Sequence, residues 1–119
     1  MTKEELNKRV YVFSVKVIQF LDKLPEKKLY WTIGDQLLRS ATSIGANIIE
    51  AQAASSRKDF INFYNYSLKS ANETKYWLCL LKDVGDVESN AIEPLLQEVV
   101  ELSKIIGASI LTLKGKRNI

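Results

Sequence analysis

A chain of 119 residues with 46% hydrophobic and 26% charged residues has the make-up of a single globular domain. It is long enough to bury roughly two thirds of its unfolded surface without a staple. It has no His, which excludes Ser-His-Asp and Cys-His catalysis and every His-based metal site, and its one Cys, Cys79, excludes an intrachain disulfide. The net charge of +3 and pI near 9.0 permit an anionic partner without requiring one.

The first helix is predicted from about Lys3 to Leu24, with Thr2 and Glu5 placed as a capping box. Leu6, Val10, Phe13, Val17, Phe20 and Leu24 follow the 3-4 spacing of one buried stripe. Tyr11, Val12, Val15 and Ile18 widen the apolar surface, which predicts contacts on two sides. The start "MTKEELNKRV" lacks the apolar stretch of a signal peptide, and no uncharged run approaches a membrane span. The expectation is a cytoplasmic protein with no membrane attachment.

Pro25 is read as the start of the second helix, reaching about Ala53, with Tyr30, Ile33, Leu37, Ala41, Ile44 and Ile48 on its core face. "ASSRKD" is a turn, and Ser56 with Asp59 makes a second capping box opening a helix over 57–83. Its predicted core face is Phe60, Phe63, Ser67, Ala71, Thr74, Leu78 and Leu81. Cys79, inside the apolar run "YWLCLLK", is expected to be a small buried hydrophobe. "VGDVESN" is the third turn. The fourth helix is predicted over 90–114, with Ile92, Leu95, Val99, Leu102, Ile106, Ile110 and Leu113 inward. Pro94 requires a place in its first turn or a later start. Gly115 is its expected C-terminal cap, followed by a basic tail over 115–119. Four long helices with short loops give an all-α, up-down-up-down antiparallel four-helix bundle.

The second helix carries an odd stretch, "RSATSIGAN", whose Gly, Thr, Ser and Asn are poor helix formers. Ser40, Ser43, Asn47 and Glu50 share a face beside the apolar stripe, and Tyr66, Ser70, Glu73 and Trp77 do the same on the third helix. Antiparallel pairing about "ASSRKD" brings Asn47 opposite Phe63, Ser40 opposite Ser70, and Glu73 opposite Gln36 to Arg39. A Glu73–Arg39 pair is expected. One reading is an active site of Asn47, Glu50 and Glu73, with Arg39. The other is close packing, in which small residues let the helices approach and hydroxyls fix register. Glu50 and Glu73 lie too far apart along the axis for a paired acid and base. Without His they do not make a di-metal bundle site either. Packing is therefore the favoured reading, with no catalytic residue, metal or cofactor expected.

"QLLRSATSIGANIIEA" followed by "SSRKDFINFYNYSLKSANETKYWL" resembles the four-helix bundle proteins encoded in intervening sequences of bacterial 23S rRNA genes. Gln36, Arg39, Ser40, Ser43, Asn47, Ile48 and Glu50 match that family's run, and Asp59, Phe60, Ser70 and Glu73 its later positions. Ala51 departs from it, standing where the family usually has Gly, which bears on how the second helix ends. The family is similar in fold to the accessory variability protein of diversity-generating retroelements, which resembles a ring of five bundles and binds nucleic acid and a reverse transcriptase. The resemblance thus implies a homo-oligomer, with a pentamer as one count, a nucleic-acid link, RNA or DNA, and room for a partner protein.

The bundle order makes a charge expectation of its own. One end collects Lys3, Lys8, Arg9, Arg57, Lys58, Lys114, Lys116 and Arg117 against Glu4, Glu5 and Asp59, eight bases over three acids. The other end has Lys23, Lys27, Lys28 and Lys82 against Asp22, Glu26, Asp83, Asp86, Glu88 and Glu93. The basic end is the candidate nucleic-acid surface; solvated helix ends are the plain alternative. Tyr30, Trp31, Tyr64, Tyr66, Tyr76 and Trp77 are read as core or subunit interface before base-stacking platforms. The leading expectation is a non-enzymatic, oligomeric, nucleic-acid-binding accessory protein. An oligomeric protein-interaction scaffold is the alternative.

Overall fold

A computed structural model of the chain describes residues 1–117, with side chains through residue 115. Four helices run antiparallel, up-down-up-down: α1 (Lys3–Asp22), α2 (Lys28–Ala51), α3 (Arg57–Val84) and α4 (Ser89–Arg117). Each packs on the next and α4 returns to α1, closing a rod of 51 × 21 × 21 Å. Among the described residues no helix is long and apolar enough to cross a membrane.

The capping box at α1 forms in both directions: Glu5 N donates to Thr2 Oγ1 at 3.1 Å, and Thr2 N to Glu5 Oε1 at 3.3 Å. Hydrogen bonding of the carboxyl to the Thr2 side chain and backbone holds Glu5 below its ordinary value. The helix stops at Asp22, before Leu24, because Lys23 and Leu24 donate three residues back in tightened turns.

Pro25 does not open α2. Lys27 is extended (φ −136°, ψ 151°) and breaks the helix before Lys28, which starts without a side-chain cap. What anchors this start is tertiary: Tyr30 is buried and its hydroxyl accepts from Asp86 N at 2.7 Å, across to the α3–α4 loop. α2 ends at the buried Ala51, two residues short of Ala53.

Ser56 caps α3 by accepting from Asp59 N at 3.0 Å, but among the described residues Asp59 returns no bond, so the box is half formed. Ser56→Ala should destabilise the fold by about 1 kcal/mol in a denaturant melt, the usual worth of an N-cap. At the other end of α3, Gly85 has no room for a side chain. A Cβ there would lie 2.5 Å from Leu81 O, the carbonyl that receives the Gly85 N–H.

α4 departs from expectation at both ends. It starts at Ser89, which puts Pro94 in the second turn, inside the helix. The missing N–H costs α4 one hydrogen bond, and the burial of Ile92 and Leu95 on either side holds the segment helical. Gly115 is not a cap, since the helix runs through it to Arg117 and replaces the expected tail. Lys116 and Arg117 are described in backbone only; Asn118 and Ile119 lie outside the described residues.

The buried stripes of α1, α2 and α4 follow the predicted spacing, with Leu24, Ile33 and Leu113 only partly covered. In α3 the first turns are rotated: Ile61 and Tyr64 are buried, while Phe60 and Phe63 flank the core. Cys79 is exposed, contrary to expectation. Leu78 and Leu81 take the inward positions, and Cys79 is turned about 100° away from Leu78. The wide apolar surface of α1 stays open, with Tyr11 at 70% and Ile18 at 49% exposure. The small residues of α2 do bring backbones together. A Cβ on Gly45 would meet Val10 of α1 at 3.3–3.5 Å, including its carbonyl oxygen.

Candidate functional site

The polar residues of α2 and α3 form two layers. Ser40, Ser67 and Thr74 are buried hydroxyls. Ser67 donates to Ile44 O of α2 at 2.8 Å, a direct side-chain bridge to the neighbouring backbone. Thr74 Oγ1 lies 2.9 Å from Ser40 Oγ, and Ser40 donates to Leu37 O at 3.2 Å. Ser40 thus meets Thr74, one turn past the expected Ser70, while the expected Arg39–Glu73 pair forms. Among the described residues every buried side-chain polar atom has a partner, so this layer stabilises register without an unpaired-group penalty.

The outer layer is a surface network. Arg39 donates to Gln36 Oε1 at 2.8 Å and to Glu73 Oε2 at 3.1 Å, and Trp77 Nε1 donates to the same Glu73 oxygen at 3.0 Å. Ser43 donates to Arg39 O, and Asn47 Nδ2 to Ser43 O, each one turn back along α2. Glu50 is exposed and borders a groove between α1 and α2 with Asn7 and Tyr11. It stands 11 residues from Arg39 on one helix, about 16 Å along the axis. Arg39, Glu50 and Glu73 therefore do not converge on one concave site. Among the described residues no three Cys, Asp or Glu side chains gather as a metal would require.

The antiparallel order brings the start of α1, the α2–α3 turn and the end of α4 to one end of the rod. Lys3, Lys8, Arg57, Lys58 and Lys114 are exposed there and make no ion pair among the described residues. Lys3, Arg57 and Lys58 occupy first turns, where a cation opposes the helix dipole by about 0.3–1 kcal/mol. Glu4, Glu5 and Asp59 offset that locally. Arg9 is different. Its guanidinium is held by Glu98 at 2.6 and 3.0 Å and by Glu101 at 3.0 Å, so its charge is spent on joining α1 to α4. Those carboxylates, Glu98 foremost, push its pKa still higher. The sequence carries no signal for this pairing, which depends on how α4 lies on α1. Lys116 and Arg117 have no described side chains. At the opposite end Lys82 pairs with Glu93, which raises the lysine pKa.

Residues 3–108 match the family model of the 23S rRNA-intervening sequence protein. The fold is similar to a crystal structure of a protein of unknown function from the S23 ribosomal protein family of Bacteroides thetaiotaomicron VPI-5482. The identity is 36%, over 92% of this chain and 98% of that one, with a TM-score of 0.85. Comparison with curated proteins gives no match.

Proposed function

The chain belongs to the 23S rRNA-intervening sequence protein family, and from that premise we propose that it is a non-enzymatic, oligomeric accessory protein of the cytoplasm that binds nucleic acid through its basic end. The observation that carries the reading is the group of exposed cations Lys3, Lys8, Arg57, Lys58 and Lys114, in no ion pair among the described residues, three of them kept in helix first turns against the dipole. A phosphate backbone relieves that repulsion and releases counterions. Anisotropy with an RNA hairpin and a DNA duplex across a salt series tests it. A log-log slope of several units supports phosphate contacts, each worth about 0.9 on duplex DNA. No binding at low salt overturns it.

The second reading, an oligomeric protein-interaction scaffold, draws on an exposed apolar strip along α1 and α2. Tyr11 (70%), Ile18 (49%), Trp31 (60%), Leu38 (38%) and Ile49 (51%) are all open to solvent. Self-association covers such a strip, and the family likeness makes a ring of copies, with five as its count, the arrangement to test. Ile18→Lys with Ile49→Lys should convert the oligomer to monomer by light scattering while leaving helicity unchanged. An unchanged mass would place the subunit contact elsewhere.

A further inference from the structure

At the basic end, an open cleft of about 770 Å³ lies between the starts of α1 and α3 and the last turns of α4. Its apolar wall includes Leu6 and Leu113, and Lys3 is on its rim. Phe60 and Tyr64 line it as a stacked pair, with centroids 4.8 Å apart and planes inclined by 22°. Tyr64 covers one face of the half-buried Phe60 ring.

Tyr64 is the unusual member. The residue is 92% buried, being 8% exposed, yet its hydroxyl has no hydrogen-bond partner among the described residues. Among the described residues no buried polar side-chain atom is left unsatisfied, so this hydroxyl is not sealed off, and the residue borders the cleft. The phenol O–H is a donor at neutral pH, and burial pushes its pKa further up. Lys3 lines the cleft, and two further cations stand beside residues that line it. Arg57 precedes Phe60 by three residues and Tyr64 by seven, on the same helix face, and Lys114 follows Leu113. An open, largely apolar cleft with a phenol hydroxyl and nearby cations fits a nucleobase with its phosphates.

We propose that this cleft receives one unpaired nucleobase of the bound strand. The base enters the cleft beside the Phe60–Tyr64 pair and over its apolar wall, its polar edge is hydrogen-bonded to the Tyr64 hydroxyl, and its phosphates rest on Lys3, Arg57 and Lys114. The inference rests on the nucleic-acid reading above and adds to it a preference for unpaired nucleotides.

The test uses two fluorescein-labelled RNA hairpins that differ only by a single bulged adenosine. The bulged hairpin should bind the full chain about 5- to 100-fold more tightly, the range expected for one base–aromatic stack. Tyr64→Phe keeps the ring and loses no partner among the described residues, so it should fold normally and narrow that preference about 2- to 10-fold. Thr112→Trp, which fills the cleft from its α4 side, should abolish the preference. Both variants should keep the affinity for the paired hairpin and its salt slope. Equal, salt-dependent binding of the two hairpins would overturn the cleft while leaving the basic end standing. A preference that survives both variants would also overturn it. Binding of neither hairpin at low salt would remove the nucleic-acid reading and the cleft together.

Discussion

Exchanging Lys3, Lys58 and Lys114 together for Gln is expected to weaken nucleic-acid binding by two to three orders of magnitude at about 0.1 M salt. The estimate follows from counterion release: three lost phosphate contacts lower the log-log slope by about 2.7, and at that salt each unit of slope is worth about tenfold. The three lysines come from α1, α3 and α4, so only the folded bundle brings them together. All three are exposed and outside every ion pair among the described residues, so their loss should leave the melting temperature nearly unchanged. Arg9 serves as the contrast. Arg9→Gln removes a cation from the same region, but one already matched by Glu98 and Glu101. It should therefore cost stability and barely move the salt slope. Equal slopes for the triple variant and the unmodified chain would take the basic end out of the binding surface.

A large effect on stability is expected at Gly45. Leu at this position should destabilise the bundle by about 1–3 kcal/mol, through overpacking against α1. For a chain of this size that is a fall of roughly 4 to 12 °C in Tm. The first atom of the new side chain already stands 3.3 Å from Val10 Cγ2 and 3.5 Å from Val10 O. A methyl can turn aside, but the α1 backbone moves only if the whole helix is displaced. Gly107 provides the matched control, because a Cβ there meets nothing within 4 Å. Gly107→Leu should be neutral or gain up to about 1 kcal/mol from helix propensity alone. Two Gly→Leu changes in two helices of one protein should thus differ in sign, as thermal melts would show. If both are neutral, close approach of α1 and α2 is not what the small residues of α2 provide.

Fold class was legible because one physical rule dominates the sequence. Where apolar residues recur at 3-4 spacing with polar ones between, as in Leu6–Val10–Phe13–Val17, the buried face has one solution. The errors fall where that contrast fades. "DFINFYNY" has apolar residues on adjacent faces, and choosing the two Phe rings over Ile61 and Tyr64 rotated the first turns of α3. "YWLCLLK" is apolar all round, so residue type alone could not say which way Cys79 points. Pro25, Pro94 and Gly115 were read by their local preferences. Each was overruled by its surroundings: an extended Lys27, the flanking burial of Ile92 and Leu95, and a helix that simply continues.

The candidate site was legible only in part. The Arg39–Glu73 pair followed from antiparallel register. The collection of cations at one end followed from helix order, but not which of them is free, since the pairing of Arg9 depends on how α4 lies on α1. The cleft lined by Phe60 and Tyr64 was not foreseeable at all. It lies between the starts of α1 and α3 and the last turns of α4, and a periodic pattern carries no information on how helix ends sit beside one another.

Cys79 has a practical consequence for the experiments above. It is the only thiol in the chain, it is exposed, and it lies 22 residues along α3 from Arg57, about 33 Å from the basic end. The unmodified protein can therefore take one maleimide fluorophore at a known position, remote from the surface under test. The same thiol makes oxidised samples misleading, because two copies joined through it would travel as a covalent dimer. Subunit counts should be read from reduced protein, and a species that vanishes with reductant belongs to the thiol.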